Sequence, residues 1–255
     1  MQRYFPREIS TISIWGLKLN PIRIDDFIQL IESRISLNST PIHITGVNPE
    51  TVVHAQGTPM LKTAINESDL VNIDNNFLVL TLRLLGYHVP CRIATPDLFE
   101  ALLSFSDKNH YKVFILGSKK NILKKAIEKI KSDYPNIEID GHDGYFPTED
   151  EMKIINIIKG YGPDMFFISM PTPYKESFIL RNKNDINAKV FLGIGGAIDA
   201  KAGSIKRPPL FFRRMGLEGL YRTLQSPLNH GKRALLCYPE FLRIVIKNKR
   251  DGNKK

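Results

Sequence analysis

Apolar residues in this chain fall into two alternating patterns. Runs such as Leu70–Ile73, Met165–Ser169 and Val190–Gly193 are short, almost wholly apolar, and end abruptly at Gly, Pro or polar residues. Strands of a parallel sheet look like this because both of their faces are covered. Between such runs lie stretches with helical spacing. Phe27, Leu30, Ile31 and Ile35 recur every three or four residues within 25–36, as do Leu123, Ile127 and Ile130 within 122–134. The pattern predicts further strands over 11–17, 41–47, 111–116 and 136–140. It predicts helices over 25–36, 49–65 with a break near 57–59, 76–85, 96–105, 122–134, 148–161 and 238–250. Asp25 is the expected N-cap of the first helix. Thr148 with Glu151 offers a capping box, and Pro239 can start the last helix. Strand and helix alternate throughout, which implies an α/β class with a largely parallel sheet flanked by helices.

Such strands place ligands at their carboxyl ends. The loop expected after residue 169 carries Lys175 and Glu176, and the one after residue 193 carries Gly195, Gly196 and Asp199. Residues 113–121, VFILGSKKN, read as strand, turn at Gly117 and helix, a junction whose backbone N–H groups suit a phosphate. The turn of Gly144 and Tyr145 allows close backbone approach and offers a ring for stacking. Asp74 ends an apolar strand and is a candidate general base, with the N-cap of the following helix as its ordinary alternative. Arg92 is the lone charge in 90–95 and suits either a diphosphate or a structural ion pair.

Charge changes the picture for the last fifth of the chain. Residues 201–255 hold 14 Lys and Arg against 3 Asp and Glu, whereas residues 1–200 hold 22 against 23. A neutral body with a basic tail suggests a tethering element for something anionic, and the division is expected at 1–203 for the core and 204–255 for a basic helical appendage. Tyr238, Phe241, Leu242 and Val245 follow helical spacing, with Arg243, Lys247 and Arg250 opposite. That helix either lies on an anionic membrane surface or packs on the core with a solvated basic face. Aromatics opposite the charges, rather than among them, argue against a nucleic-acid partner. Two lone cysteines, Cys91 and Cys237, fit a reducing cytosol and form no metal-ligand pattern. No apolar run reaches signal-peptide or membrane-spanning length, so any membrane contact is expected to be peripheral.

Several segments, taken in order, resemble the WecG/TagA/CpsF glycosyltransferase family of bacterial cell-surface polysaccharide synthesis. They are Asn48-Pro49-Glu50, the Asp74 turn, Arg92, Leu116-Gly117, Gly144-Tyr145-Phe146 and Pro173-x-x-Glu176. The set continues with Gly195-Gly196-x-x-Asp199, Ala202-Gly203, Arg207-x-Pro209 and Leu217-Glu218-x-Leu220-Tyr221-Arg222. The resemblance covers roughly residues 10–235. It implies a Rossmann-like core and an inverting transferase that uses no metal or other cofactor. Such an enzyme would move an N-acetylmannosamine-type sugar, or a related hexose or uronic acid, from a UDP donor to a polyprenyl-diphosphate-linked acceptor. It would work in the cytoplasm at the inner face of the membrane, possible homo-oligomers included.

By position, the resemblance makes Asp74 the base and places Arg92 at the active centre. It puts Asn48 in a substrate pocket and Tyr145 and Asp199 on the nucleotide side. Arg222 meets the diphosphate, with Arg207, Lys232 and Arg233 in related work. Three positions depart from the family. Gly46 stands where the family has Thr, and Thr45, one step earlier, is the candidate for that residue's substrate-binding place. Lys175 replaces a Gln, and Asn75 replaces the Gly after Asp74. A non-catalytic scaffold of a polysaccharide assembly is the remaining alternative.

Overall fold

The computed structural model describes residues 9–38, 41–205, 209, 221 and 232–252, with the side chains of the final helix described over 236–248. The chain opens with β1 (Ile12–Ile14) and β2 (Leu17–Leu19), then α1 (Ile24–Ser36) and β3 (Ile42–Val47). Next come α2 (Pro49–Gly57), α3 (Pro59–Asn66), β4 (Leu70–Ile73), α4 (Asn76–Leu84) and α5 (Thr95–Lys108). The second half runs β5 (Lys112–Gly117), α6 (Lys120–Asp133), β6 (Glu138–His142), α7 (Glu151–Tyr161), β7 (Met165–Ser169), α8 (Tyr174–Ile186), β8 (Val190–Gly193) and α9 (Ala197–Lys201). The last element is α10 (Lys232–Gly252).

Six parallel strands form one sheet in the order β4-β3-β8-β7-β5-β6, a Rossmann-like α/β arrangement. The side-chain period of two divides each strand between two apolar layers. Val113 and Ile115 of β5, Met165 and Phe167 of β7, and Val190 and Leu192 of β8 join the layer under α1, α5 and α6. Their alternates Phe114, Leu116, Phe166, Ile168 and Phe191 join the layer under α7 and α8. A one-residue slip would exchange the layers, so burial on both faces pins the register.

Several boundaries differ from expectation. Residues 11–17 are not one strand but a hairpin, with Trp15 (φ 55°) and Gly16 (φ 70°) as its two turn residues. A tryptophan is a poor sequence signal for such a turn. Its indole is 5% exposed and meets Phe241 of α10 edge-on at 5.4 Å, so long-range burial holds it there. Asn20 ties the hairpin to the sheet: its N–H donates to Val71 O, and its Oδ1 accepts from the Val71 N–H. Arg23, not Asp25, is the N-cap of α1. The capping box does not form, because Thr148 lies in a short 3-10 turn and the Glu151 carboxylate instead accepts from Tyr174 and Arg181. Pro239 lies inside α10 rather than at its start. Lys175, Glu176 and Asp199, expected on loops, lie in the helices Tyr174–Ile186 and Ala197–Lys201.

The apolar stripe of α10 settles between its two readings. Phe241 is wholly buried against Trp15 and Phe77, and Ile244 and Val245 pack on the same cluster. That face lies on the protein body. Leu242, Arg243 and Ile246 point outward. Residues between the core and α10 lie largely outside the described residues, so the expected boundary at 203/204 is not placed.

Beneath the sheet, His43 is wholly buried, with Thr45 Oγ1 at 3.2 Å and Ser68 Oγ at 3.3 Å from its ring nitrogens. Burial, aided by the positive Lys183, lowers its pKa from 6.5 to about 3. Below pH 6.5 the unfolded chain therefore binds a proton that the folded chain refuses. The stability is complete above that pH and is lost as pH falls toward about 3. We expect His43 to remove up to about 1.4 kcal/mol per pH unit on that limb. Urea midpoints measured across it should fall less steeply in His43→Gln, and an unchanged slope would contradict this assignment.

Candidate active site

All parallel strands point their carboxyl ends to one edge of the sheet, and a cleft of about 1260 Å³ opens there. Each strand contributes to its wall. Gly46 and Asn48 come from β3, Asp74 and Asn75 from β4, and Ser118 and Lys119 from β5. Gly144 and Tyr145 follow β6, residues 169–172 and Lys175 follow β7, and residues 193–197 and Asp199 follow β8. Arg92, Thr95, Cys237 and Tyr238 complete it.

Asp74 is fixed from both sides. Its N–H donates to Val47 O at 2.8 Å, and its Oδ1 accepts from the Thr95 N–H at 2.9 Å. It is not the cap of α4, because Asn75 Oδ1 takes that role for the N–H groups of Phe77 and Leu78. Asp74 instead sits at the positive end of α5, where a carboxylate is stabilised. The segment carrying Arg92 lies along β4: Ile93 N–H donates to Ile73 O, and Asn72 Nδ2 donates to Ile93 O. This brings Arg92 to the same wall as Asp74.

The Gly46 question resolves through the pleat. Thr45 turns away from the cleft into the His43–Ser68 cluster. Gly46 faces the cleft, and a Cβ there would lie 2.5 Å from Thr95 Oγ1. The Thr95 hydroxyl thus fills the space that a side chain at 46 would need. Thr95 was not among the residues the sequence singled out, and only its place before Pro96 at a helix start hinted at it. Asn48 caps α2, its Oδ1 accepting from the Thr51 N–H and hydroxyl. Its amide nitrogen is the atom left to serve a ligand.

At the other end, Gly117 (φ 123°) lets β5 and β7 converge, since a Cβ there would lie 2.3 Å from Ser169 O. Gly117 itself stays off the cleft wall, and Ser118, which sequence reasoning missed, lines it. Ser118 Oγ donates to Asp199 Oδ1 at 3.5 Å. Burial pushes the Asp199 carboxyl above the ordinary carboxylate range, against the lowering effect of its own backbone and of Ser118. Gly144 packs against Gly117, and Tyr145 stands at the rim, 73% exposed. Gly196 precedes α9 as its N-cap.

Lys175 and Glu176 begin α8 and form an ion pair that Thr172 joins. Only Lys175 reaches the cleft wall, lying over Gly193. Glu176 is 2% exposed beneath it, and its second oxygen has no hydrogen-bond partner among the described residues. Arg207 and Arg222 lie outside the described residues, as do the side chains of Lys232 and Arg233 at the start of α10. Among the described residues, no three His, Cys, Asp or Glu side chains gather as a metal site would require, and no helix is long and apolar enough to cross a membrane.

The model of the glycosyl transferase WecG/TagA/CpsF family matches residues 12–255. A Bacillus spizizenii protein named N-acetylglucosaminyldiphosphoundecaprenol N-acetyl-beta-D-mannosaminyltransferase is 32% identical over 232 residues, 91% of this chain and 89% of its own. Proteins of the same name from Bacillus subtilis and Staphylococcus aureus are 30% and 29% identical, over 91% and 95% of this chain and 89% and 95% of theirs.

The buried pair makes a stability prediction. Lys175→Met leaves Glu176 as an uncompensated buried carboxylate and should cost about 3 kcal/mol in urea unfolding. Adding Glu176→Gln to Lys175→Met should recover most of the loss. Equal destabilisation in the single and double variants would show that the pair is not what Glu176 depends on.

Proposed function

The chain belongs to the WecG/TagA/CpsF glycosyltransferase family, and from that membership and the cleft we propose that it transfers an N-acetylmannosamine-type sugar from UDP to polyprenyl-diphosphate-linked N-acetylglucosamine. The observation that carries this reading is the Asp74 carboxylate, held by the Thr95 N–H on the wall of a cleft to which all six strands contribute.

In this reading Asp74 takes the proton from the acceptor hydroxyl as that oxygen attacks the anomeric carbon of the donor. The bond from that carbon to the diphosphate oxygen breaks, and UDP leaves with the electron pair. Attack from the face opposite the leaving group inverts the anomeric centre. Lys119, Lys175 and Arg92 line the cleft where negative charge builds on the diphosphate, and the N-termini of α6 and α8 open toward it. These groups can carry the charge without a divalent metal. Ser118, Gly144, Tyr145 and Asp199 form the side where the nucleotide would sit.

Thr172 and Glu176 already engage Lys175, so an acidic donor sugar would have to displace a buried carboxylate. A neutral N-acetyl sugar fits this wall better than a uronic acid. The acceptor's lipid would hold the enzyme at the inner face of the membrane, where outward Leu242 and Ile246 alternate with Arg243 and Lys247.

The test is UDP release with chelator present, using a panel of UDP-sugars and a short-chain polyprenyl-diphosphate-linked N-acetylglucosamine. We expect acceptor-dependent release that falls by at least roughly a hundredfold in Asp74→Asn. Release that needs a divalent ion would overturn the metal-free mechanism. Release that survives Asp74→Asn would remove Asp74 as the base.

A further inference from the structure

A surface helix normally keeps its apolar residues on one stripe facing the body. Helix α4 also carries some outside that stripe. Its sequence, NFLVLTLRL, buries Leu78, Val79, Thr81 and Leu82 against the body. On the outward side Leu80 is 53% and Leu84 78% exposed, beside Arg83, whose guanidinium is turned back onto Val89 O and Pro90 O. Phe77, Leu80 and Leu84 are spaced three and four residues apart and share that face. The strip they form is about 10 Å long.

The strip starts at the cleft. Phe77 lines it, and its ring meets Tyr238 of α10, also on the cleft wall, edge-on at 5.1 Å. Leu236, just before the cleft-lining Cys237, is 76% exposed. The apolar positions of α4 therefore begin on the cleft wall at Phe77 and lead outward along the helix. Exposed apolar patches that adjoin a polar cleft mark ligand or partner sites.

We infer that the Phe77–Leu80–Leu84 face of α4 seats the first isoprene units of the acceptor's lipid, next to the diphosphate. A ligand with a polar head, a diphosphate and a hydrocarbon chain needs these surfaces in this order. The strip leads away from the base. The inference rests on the polyprenyl-diphosphate acceptor of the preceding subsection, and its test reads binding without transfer, so a failure of catalysis does not decide it.

The test compares calorimetric titrations of the full chain with farnesyl diphosphate and with inorganic diphosphate. Wild type should bind the farnesyl compound at least about tenfold more tightly. Leu80→Gln/Leu84→Gln should lose that preference while its affinity for inorganic diphosphate stays the same. Leu80→Met/Leu84→Met should keep the preference, as should Leu37→Gln at an exposed leucine just after α1. If the Gln pair fails to fold, Leu84→Gln alone carries the comparison. Equal affinities in wild type would overturn the proposal, and so would a preference that survives the Gln pair. Sedimentation with phosphatidylglycerol vesicles separates the remaining source. If the Gln pair stops sedimentation but keeps the farnesyl preference, the strip touches the bilayer and not the acceptor, and the proposal is wrong.

Discussion

Parallel pairing of β3, β8, β7 and β5, with both faces of the sheet buried, is the constraint on which the rest depends. Parallel strands share a direction, so every chemically useful turn falls at one edge. Burial on both faces forbids register slips. The cleft is therefore not assembled from separately placed loops. Asp74, Ser118, Lys175 and Asp199 meet because their strands end together.

Three carboxylates on or beneath the cleft wall each have their own restraint. Asp74 accepts from a backbone N–H at the start of α5, Asp199 from Ser118, and Glu176 lies beneath Lys175. The arrangement leaves acidic groups beside a space that the proposed reaction would fill with an anionic ligand, which is tolerable only if each is held in place and locally compensated. It also separates roles. Glu176 is a support buried below the wall, whereas Asp74 stands on the wall itself.

The C-terminal helix links the cleft to the periphery. Phe241 sits between Trp15 of the hairpin and Phe77 of α4, so the hairpin, α4 and α10 form one aromatic cluster. Tyr238 borders the cleft from that cluster. Helix α10 thus packs Phe241, Ile244 and Val245 on the body, while Leu236, Leu242 and Ile246 stay exposed. On α4, Leu80 and Leu84 are exposed as well.

Much was legible before any coordinates. Both-face burial leaves an unbroken apolar run, so β4, β7 and β8 were readable to the residue, and the turns that follow them marked the cleft edge. Asp74 and Tyr145 could be chosen because each stands at a turn after an expected strand, whereas Asn48 came from the family resemblance. Helices α8 and α9 were not legible, since each begins inside a Gly- or Pro-rich segment whose local signal is that of a loop. The side of the strand on which Thr45 or Gly46 would fall depended on pleat phase, and the occupant of the space above Gly46 proved to be Thr95, 49 positions along the chain. The turn at Trp15 needed Phe241. Sequence by itself determined the fold class, the ends of β4, β7 and β8, and the family, because these follow from periodicity and from motifs in order. Only the tertiary structure decided which side chains face the cleft, which carboxylate is a support, and what α10 covers, because those depend on partners distant in sequence.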